Sequence, residues 1–223
     1  MKYSIEKKNS DSLIVFFTGW GCDANCTAHV ETDRDVMTVY DYTDYSGSGA
    51  VLDEIMNYGR RDLAAWSFGV KTASEIFDKN LFDKRIAING TVDLISAEYG
   101  IHPAVFRKTA DELSEENLRR FYRNMTLGYD CYDFFIARKP SRSFESVKNE
   151  IAVLDRKTIR CCYDFYNGAL ISSGDIIIRP DRQEAFWKNR SSIVPVRIDS
   201  PHYPFFRINR WEDIIADDEA GQR

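Results

Sequence analysis

A serine lies between two small residues at the point where an apolar segment gives way to a helical pattern. The segment is Ala65-Trp66-Ser67-Phe68-Gly69, and it directly follows Leu63 and Ala64. On a strand-to-helix turn the serine adopts a strained backbone conformation, which exposes its hydroxyl and leaves no room for bulky residues two positions before or after it. Glycine is usual at the first of these positions, and Ala65 is still small. The pattern predicts that Ser67 is a nucleophile for acyl transfer.

Two later segments could supply the groups that activate such a serine. An apolar run over 169–175 ends in Asp175, and a second run over 193–198 leads to His202 in a loop bracketed by prolines. A histidine can take the proton of the serine, and an aspartate can hold the imidazole in the required tautomer. The order Ser, acid, His along the chain is that of α/β-hydrolases. We therefore predict a triad of Ser67, Asp175 and His202.

The other histidines are weaker candidates for the general base. His29 precedes the second predicted strand, and His102 lies in a central helical insertion. Neither follows the last predicted strand of the sheet, where the α/β-hydrolase order places the base. This position favours His202.

A glycine-flanked turn follows the first buried strand. The apolar run over 12–17 ends in Thr18-Gly19-Trp20-Gly21. In an α/β-hydrolase, the loop after this strand supplies one N–H of the oxyanion hole, and the residue after the nucleophile supplies the other. The predicted donors are the backbone N–H groups of Trp20 and Phe68.

Strands and helices alternate along most of the chain. Further strands are predicted over 36–42 and 85–90, and helices over 52–58, 68–80 and 183–188, with a last helix from Trp211. Such alternation indicates a mostly parallel sheet with helices on both faces. We predict one α/β-hydrolase domain over 1–223, with a core of 1–90 and 154–223. The acidic tail from Asp217 onward is expected to be loose.

The alternation of predicted strands and helices is interrupted between residues 91 and about 153. This segment has helical patterns, one of them capped by Ser114, and a cluster of aromatic residues. Insertions at this place in α/β-hydrolases commonly form a lid over the nucleophile, so we predict a helical lid over about 91–153. The alternative is a set of additional helices packed against the sheet.

Charge and hydropathy argue against two classes of protein, those that bind nucleic acid and those that span a membrane. The chain carries a net charge of −5 and no nucleic-acid-binding motif, so nucleic acid is not an expected partner. It has no apolar run near the ~18 residues of a membrane span, and its amino-terminal segment lacks the apolar centre of a signal peptide. A cytoplasmic monomer is expected.

Five cysteines without an export signal indicate reduced thiols. Cys22, Cys26 and His29 are not followed by a second pair at zinc spacing. We therefore expect no metal and no cofactor.

The chain resembles the BioG family of pimeloyl-[acyl-carrier protein] methyl ester esterases. The resemblance spans nearly the whole chain and rests on five segments, which are 16–21, 65–69, 88–91, 179–183 with Phe186-Trp187, and 200–205. It implies removal of a methyl group from a pimeloyl ester carried by acyl carrier protein, in biotin synthesis. Family members tend to place the acid four residues before a proline, whereas Asp175 lies five before Pro180. Asp181 and Asp199 therefore remain alternatives.

Acyl carrier protein is strongly acidic, so its recognition would need local positive charge. The insertion offers such charge at Arg119, Arg120, Arg123, Arg138 and Arg142. Acidic residues lie close by, and mixed charge of this kind is also typical of a solvated helix face. Two other functions use the same fold: a general serine esterase or thioesterase for small acyl substrates, and a binding protein without catalysis.

Overall fold

A seven-stranded sheet forms the centre of the computed structural model, which describes residues 1–155, 162–191 and 193–215. Its order is β1-β3-β2-β4-β5-β6-β7, in which β1 is antiparallel to β3 and the other pairs are parallel. The strands are β1 (Lys2–Glu6), β2 (Ser12–Phe17), β3 (Asp35–Tyr40), β4 (Arg60–Trp66), β5 (Arg85–Ile88), β6 (Gly168–Ser172) and β7 (Val196–Ile198).

Helices cover both faces of this sheet. Along β2, Leu13, Val15 and Phe17 belong to one apolar cluster, and Ile14 and Phe16 belong to the other. A parallel strand that is buried on both faces reads as a continuous apolar run, which explains the residue types of β2. The predicted fold, a mostly parallel sheet between two layers of helices, is confirmed. The helices are α1 (Ser48–Ile55), α2 (Phe68–Ile76), α3 (Pro103–Asp111), α4 (Glu115–Met125), α5 (Tyr132–Ile136), α6 (Phe144–Ile151), α7 (Pro180–Arg190) and α8 (Glu212–Ile215).

Four of these helices, α3 to α6, occupy the insertion between β5 and β6. The side chain of Ser114 accepts a hydrogen bond from the Asn117 N–H at 3.2 Å, so the predicted cap begins α4. In the part of the chain that the structure describes, no helix is both long and apolar enough to cross a membrane.

Several elements differ from their predicted bounds, among them the helix expected over 52–58, which runs from Ser48 to Ile55. The helix expected over 68–80 ends at Ile76, because Phe77 adopts an extended conformation. The last strand begins at Val196 and not at Ile193. Strand β1 was not predicted, since it lies at the edge of the sheet and its mostly exposed residues carry no buried-strand pattern. The acidic tail from Asp217 lies outside the described residues.

Candidate active site

Ser67 occupies the sharp turn between β4 and α2. Its backbone has φ 55° and ψ −119°, a conformation that costs a non-glycine residue free energy and persists only where the surrounding structure enforces it. The Ser67 N–H donates to the Ile88 carbonyl of β5 at 2.9 Å. A Cβ at Gly69 would lie 2.4 Å from the Phe17 carbonyl oxygen, so this position admits only glycine. Gly69 is therefore required for the steric reason that the sequence pattern indicated.

A hydrogen-bonded chain joins Ser67 to His202 and Asp175. His202 Nδ1 lies 2.8 Å from Asp175 Oδ2, and His202 Nε2 lies 3.1 Å from Ser67 Oγ. A carboxylate can only accept, so Nδ1 carries the proton and Nε2 is left to accept from the serine hydroxyl. All three residues are buried, with exposures of 4%, 1% and 2% for Ser67, His202 and Asp175. The arrangement is that of a base positioned to deprotonate a serine.

The alternative acids and bases lie elsewhere. Asp181 pairs with Arg179 at the exposed start of α7, and the exposed Asp199 accepts from the Tyr129 hydroxyl at 2.7 Å. His29 contacts the Phe205 carbonyl. His102 accepts from the Ala104 N–H at the start of α3. Of the acids and bases that the sequence offered as candidates, Asp175 and His202 are the ones that lie beside Ser67.

The turn after β2 lies beside the turn that carries Ser67 because β2 and β4 are neighbours in the sheet. Phe68 is the first residue of α2, so its N–H has no acceptor within the helix. The side chain of Trp20 is buried, and its Nε1–H donates to the Val147 carbonyl of α6 at 3.0 Å. Trp20 and Phe68, the predicted oxyanion donors, therefore come from adjacent loops at the carboxyl ends of β2 and β4.

Two buried cysteines, Cys22 and Cys26, follow this turn along the chain. A hydrogen bond to Cys26, together with burial, raises the pKa of Cys22, so Cys22 stays neutral. Cys131 and Cys162 are also free, and Cys161 lies outside the described residues.

A cavity of about 210 Å³ opens above Ser67. The insertion helices contribute half of its lining residues, and the loop after β6 contributes Ile176 and Ile177. Val105 and Ile176 remain 57% and 49% exposed, which places apolar side chains at the mouth of the cavity. Its apolar lining suits an aliphatic chain.

The five predicted carrier-contacting arginines divide into two groups. Arg119, Arg120 and Arg123 are exposed on α4, and Arg138 is half-buried against the Phe134 ring at 3.8 Å. Arg142 is different, because its side chain is only 5% exposed and forms ion pairs inside the protein. The prediction that Arg142 contacts a carrier is therefore wrong.

Comparison with known proteins identifies the family. A family model described as Pimeloyl-ACP methyl esterase BioG matches residues 1–214. The chain belongs to the BioG family. The crystal structure of selenomethionine-labelled BioG from Haemophilus influenzae superposes with a TM-score of 0.85 at 26% identity, and the match covers 96% of this chain and 99% of that one.

Two further relatives extend the comparison. A Bacteroides fragilis (strain 638R) protein named malonyl-[acyl-carrier protein] O-methyltransferase is 32% identical over 195 residues, a match that covers 85% of this chain but 39% of that protein. The enol-lactonase from Burkholderia xenovorans LB400 shares the fold, with a TM-score of 0.65 at 14% identity over 91% of this chain and 89% of that one. Family and fold together make this BioG protein a carboxylic ester hydrolase.

Asp175 is held by a residue to which sequence reasoning gave no role. Gln183 of α7 is fully buried and donates through Nε2 to Asp175 Oδ2 at 3.1 Å. The other carboxylate oxygen accepts from the N–H groups of Ile177 and Ile178 at 2.8 and 2.9 Å. Gln183 lies in one of the segments that carry the BioG resemblance, which was the signal available for it.

His202 is anchored in the same way by two buried residues that the sequence analysis did not assign. Its carbonyl accepts from Trp66 Nε1 and from Asn89 Nδ2, each at 2.9 Å. Asn89 has φ 45° and exchanges two more hydrogen bonds with Ser172, at 2.7 and 2.8 Å. An asparagine directly after a buried strand was the visible signal, but its partners are remote in sequence.

Proposed function

We propose that this chain is a serine carboxylesterase of biotin synthesis, which removes the methyl group of pimeloyl-[acyl-carrier protein] methyl ester. The observation that carries the proposal is the hydrogen-bonded chain from Asp175 through His202 to Ser67, in a member of a family described by that activity. Neither a metal nor a cofactor is part of the proposed reaction.

The first half-reaction transfers the acyl group to the enzyme. His202 Nε2 takes the hydroxyl proton as Ser67 Oγ bonds to the carbonyl carbon of the methyl ester. Asp175 stabilises the imidazolium that forms. Breaking of the bond to the methoxy oxygen, which receives the proton from His202, releases methanol and leaves the pimeloyl group esterified to Ser67.

The oxyanion of the tetrahedral intermediate needs preorganised donors. The N–H groups of Trp20 and Phe68 fill this role in the proposal, each worth about 3 kcal/mol of the barrier. Ser67 precedes the amino terminus of α2, whose dipole also favours negative charge there.

The second half-reaction uses water. His202 deprotonates the water as it attacks the acyl carbon of the Ser67 ester, and the proton then passes to Ser67 Oγ as that bond breaks. The product is the free carboxyl group at the end of a chain that stays attached to its carrier.

The cavity supports an aliphatic substrate. Phe106 of α3 packs against Phe68 with ring centroids 5.8 Å apart, and Phe121 of α4 packs against Trp20 at 4.9 Å. Residues of α3 and α4 thus lie over both proposed oxyanion donors. We propose that the insertion over about 91–153 is the lid of a single domain, and that the pimeloyl chain passes beneath it.

Acyl carrier protein is the proposed partner. Arg119, Arg120 and Arg123 lie on α4, whose residues Phe121 and Asn124 line the cavity, so positive charge is close to its mouth. Arg119 pairs with Glu115 at 3.0 Å and Arg120 pairs with Glu116 at 3.7 Å, and a carrier would compete with such exposed pairs.

The name of the Bacteroides fragilis relative supports this partner, since it describes methyl transfer to a malonyl group on acyl carrier protein. A methyl ester made on a carrier-bound acyl group requires an esterase to remove it. We place the reaction in the cytoplasm, where this carrier works. One copy of the chain suffices for it, because Ser67, Asp175 and His202 all come from one chain.

The test is a competition between two esters. Purified protein is given pimeloyl-carrier methyl ester and free methyl pimelate, with the Ser67→Ala variant alongside. Serine-dependent cleavage that favours the carrier-bound ester supports the proposal. Equal cleavage of both esters would leave a general esterase, and thioester cleavage would leave a thioesterase. No reaction of Ser67 with a fluorophosphonate would leave a binding protein.

A further inference from the structure

The turn over 18–21 carries the proposed oxyanion donor Trp20. The end of the insertion holds this turn through two hydrogen bonds. Besides the bond from Trp20 Nε1 to the Val147 carbonyl, the Gly21 N–H donates to Glu150 Oε2 at 3.0 Å. Both acceptors belong to α6, and a Cβ at Gly21 would lie 3.1 Å from the Val147 side chain. Helix α6 is therefore packed directly on the turn that presents Trp20.

Glu150 is the centre of this contact. Its side chain is fully buried, and its Oε1 accepts from the Tyr42 N–H at 2.7 Å. Arg142 donates to Oε2 at 2.6 Å and is itself 5% exposed. One buried carboxylate thus joins the turn after β2, the turn after β3 and the start of the α6 segment.

Arg142 extends the network to Asp41, whose carboxylate lies 3.2 Å away. Burial opposes the ionisation of Asp41, but hydrogen bonds from Lys2 and Thr43 and the charge of Arg142 outweigh it and lower its pKa to about 2. The guanidinium therefore lies between two acidic side chains, and its charge is well compensated inside the protein.

A fixed anchor is needed here because the turn has little stiffness of its own. Trp20 lies between two glycines, and Gly21 has φ +73°. Glycine gives a turn conformational freedom, whereas an oxyanion donor is effective only if it is oriented before charge develops. The bond from the Gly21 N–H to Glu150 fixes the peptide that joins Trp20 to Gly21.

We propose that Glu150 is a positioning residue of the esterase, which holds the Trp20 N–H in its oxyanion-binding orientation and is itself held by Arg142. The proposal rests on the proposed function, because it assigns Trp20 to the oxyanion hole. It also makes α6 part of the fixed catalytic core, so that opening of the lid is confined to the helices before it.

The decisive variant is Glu150→Gln, which preserves size but replaces one carboxylate oxygen by an amide that cannot accept. The expected result is a fall in kcat of about 10- to 100-fold with KM for a small chromogenic ester within about twofold, because complete loss of an oxyanion donor costs about 10²- to 10³-fold. The rate of Ser67 labelling by a fluorophosphonate and the affinity for a trifluoromethyl ketone, both of which place a negative oxygen in the hole, should fall with kcat.

Asp62 of β4 offers a matched control. It is also a fully buried carboxylate, and it accepts from Arg34 at 2.7 Å, Arg60 at 3.2 Å and the Lys84 N–H at 3.0 Å. It lies five residues before Ser67, toward the opposite end of the strand. Asp62→Asn should lower the melting temperature but leave kcat and the affinity for the ketone within about twofold of wild type.

A second variant covers the case in which Glu150→Gln fails to fold because Asp41 alone is left to compensate the charge of Arg142. The double variant Glu150→Gln with Arg142→Met removes that charge, and it should be folded and show the same loss of kcat. Glu150→Asp, whose shorter side chain cannot span both N–H donors, should lie between Glu150→Gln and wild type.

Two results would overturn the proposal. One is a folded Glu150→Gln or double variant with kcat within twofold of wild type, and the other is an equal loss of kcat in Asp62→Asn. The small ester, the fluorophosphonate and the ketone need no carrier protein. This test of Glu150 therefore still applies if the protein does not cleave the proposed carrier-bound ester.

Discussion

Asn89 joins three parts of the site, and its removal should be costly. Its side chain donates to the His202 carbonyl and to Ser172 Oγ and accepts from the Ser172 N–H, in a position that is fully buried. In Asn89→Ala the Ser172 N–H loses its acceptor, whereas the His202 carbonyl keeps the bond from Trp66. The variant therefore leaves one buried donor without an acceptor at the end of β6 and loosens the loop that carries His202.

The contacts of Asn89 determine how much stability and activity the Asn89→Ala variant should lose. A buried N–H without an acceptor costs about 1–3 kcal/mol, and an alanine at φ 45° costs about 1 kcal/mol more. We expect Asn89→Ala to lower the free energy of unfolding by about 2–4 kcal/mol, which is roughly 5–15 °C in melting temperature for a chain of this size. With one of its two carbonyl anchors lost, His202 should support a kcat reduced about 3- to 10-fold.

Urea unfolding and hydrolysis of a chromogenic ester measure the two effects. Ser172→Ala is the control, because it removes only the acceptor of Asn89 Nδ2 and should cost about 1 kcal/mol or less. Asn89→Asp tolerates the positive φ and keeps the acceptor but loses the donor, so it separates strain from hydrogen bonding. An Asn89→Ala variant that is as stable and as active as Ser172→Ala would refute this reasoning.

Three other perturbations test separate parts of the site. Asp175→Asn should lower kcat by about three to four orders of magnitude while KM changes little, because the amide no longer holds His202 in the required tautomer; wild-type turnover would exclude Asp175 as the acid. The pKa of Asp41 is lowered to about 2, so its charge adds about 2 kcal/mol of stability that is present above pH ~4 and is lost as the pH falls toward 2. Asp41→Asn should therefore be less stable than wild type by about that amount at pH 7 in urea, and the difference should shrink toward pH 3; a difference independent of pH would contradict this. Arg119→Glu with Arg123→Glu should raise KM for the carrier-bound ester about 10-fold or more and leave KM for a small ester unchanged. Lys8→Glu, at the opposite end of the sheet, is the control and should leave both KM values unchanged. Equal effects of the α4 variant on both esters would exclude docking at α4.

Sequence reasoning reached the parts of the fold that depend on local pattern. Buried parallel strands read as apolar runs, as in Ser12–Phe17, and the turn at Ser67 has a steric signature in its small neighbours. The chain order of Ser67, Asp175 and His202 was sufficient to nominate the three side chains that the structure brings together. The exposed edge strand Lys2–Glu6 lacked such a signal.

Contacts between segments that are remote in sequence could not be predicted from the sequence alone. Arg142 looked like a surface charge because nothing near it in sequence shows that Glu150 and Asp41 enclose it. Asn89 and Gln183 are polar residues whose partners lie on other elements. Buried polar networks of this kind are defined by tertiary packing, so a single sequence does not reveal them.

The most direct test is the mass of the covalent intermediate. Enzyme and pimeloyl-carrier methyl ester are mixed, quenched rapidly in acid, and analysed as intact proteins and as peptides. Attack of Ser67 on the methyl ester joins enzyme to carrier, so we expect an adduct with the mass of both proteins less methanol, located on the peptide that contains Ser67 and missing in Ser67→Ala. An adduct that lacks the carrier would show attack on the thioester, and an adduct on any other residue would contradict Ser67 as the nucleophile.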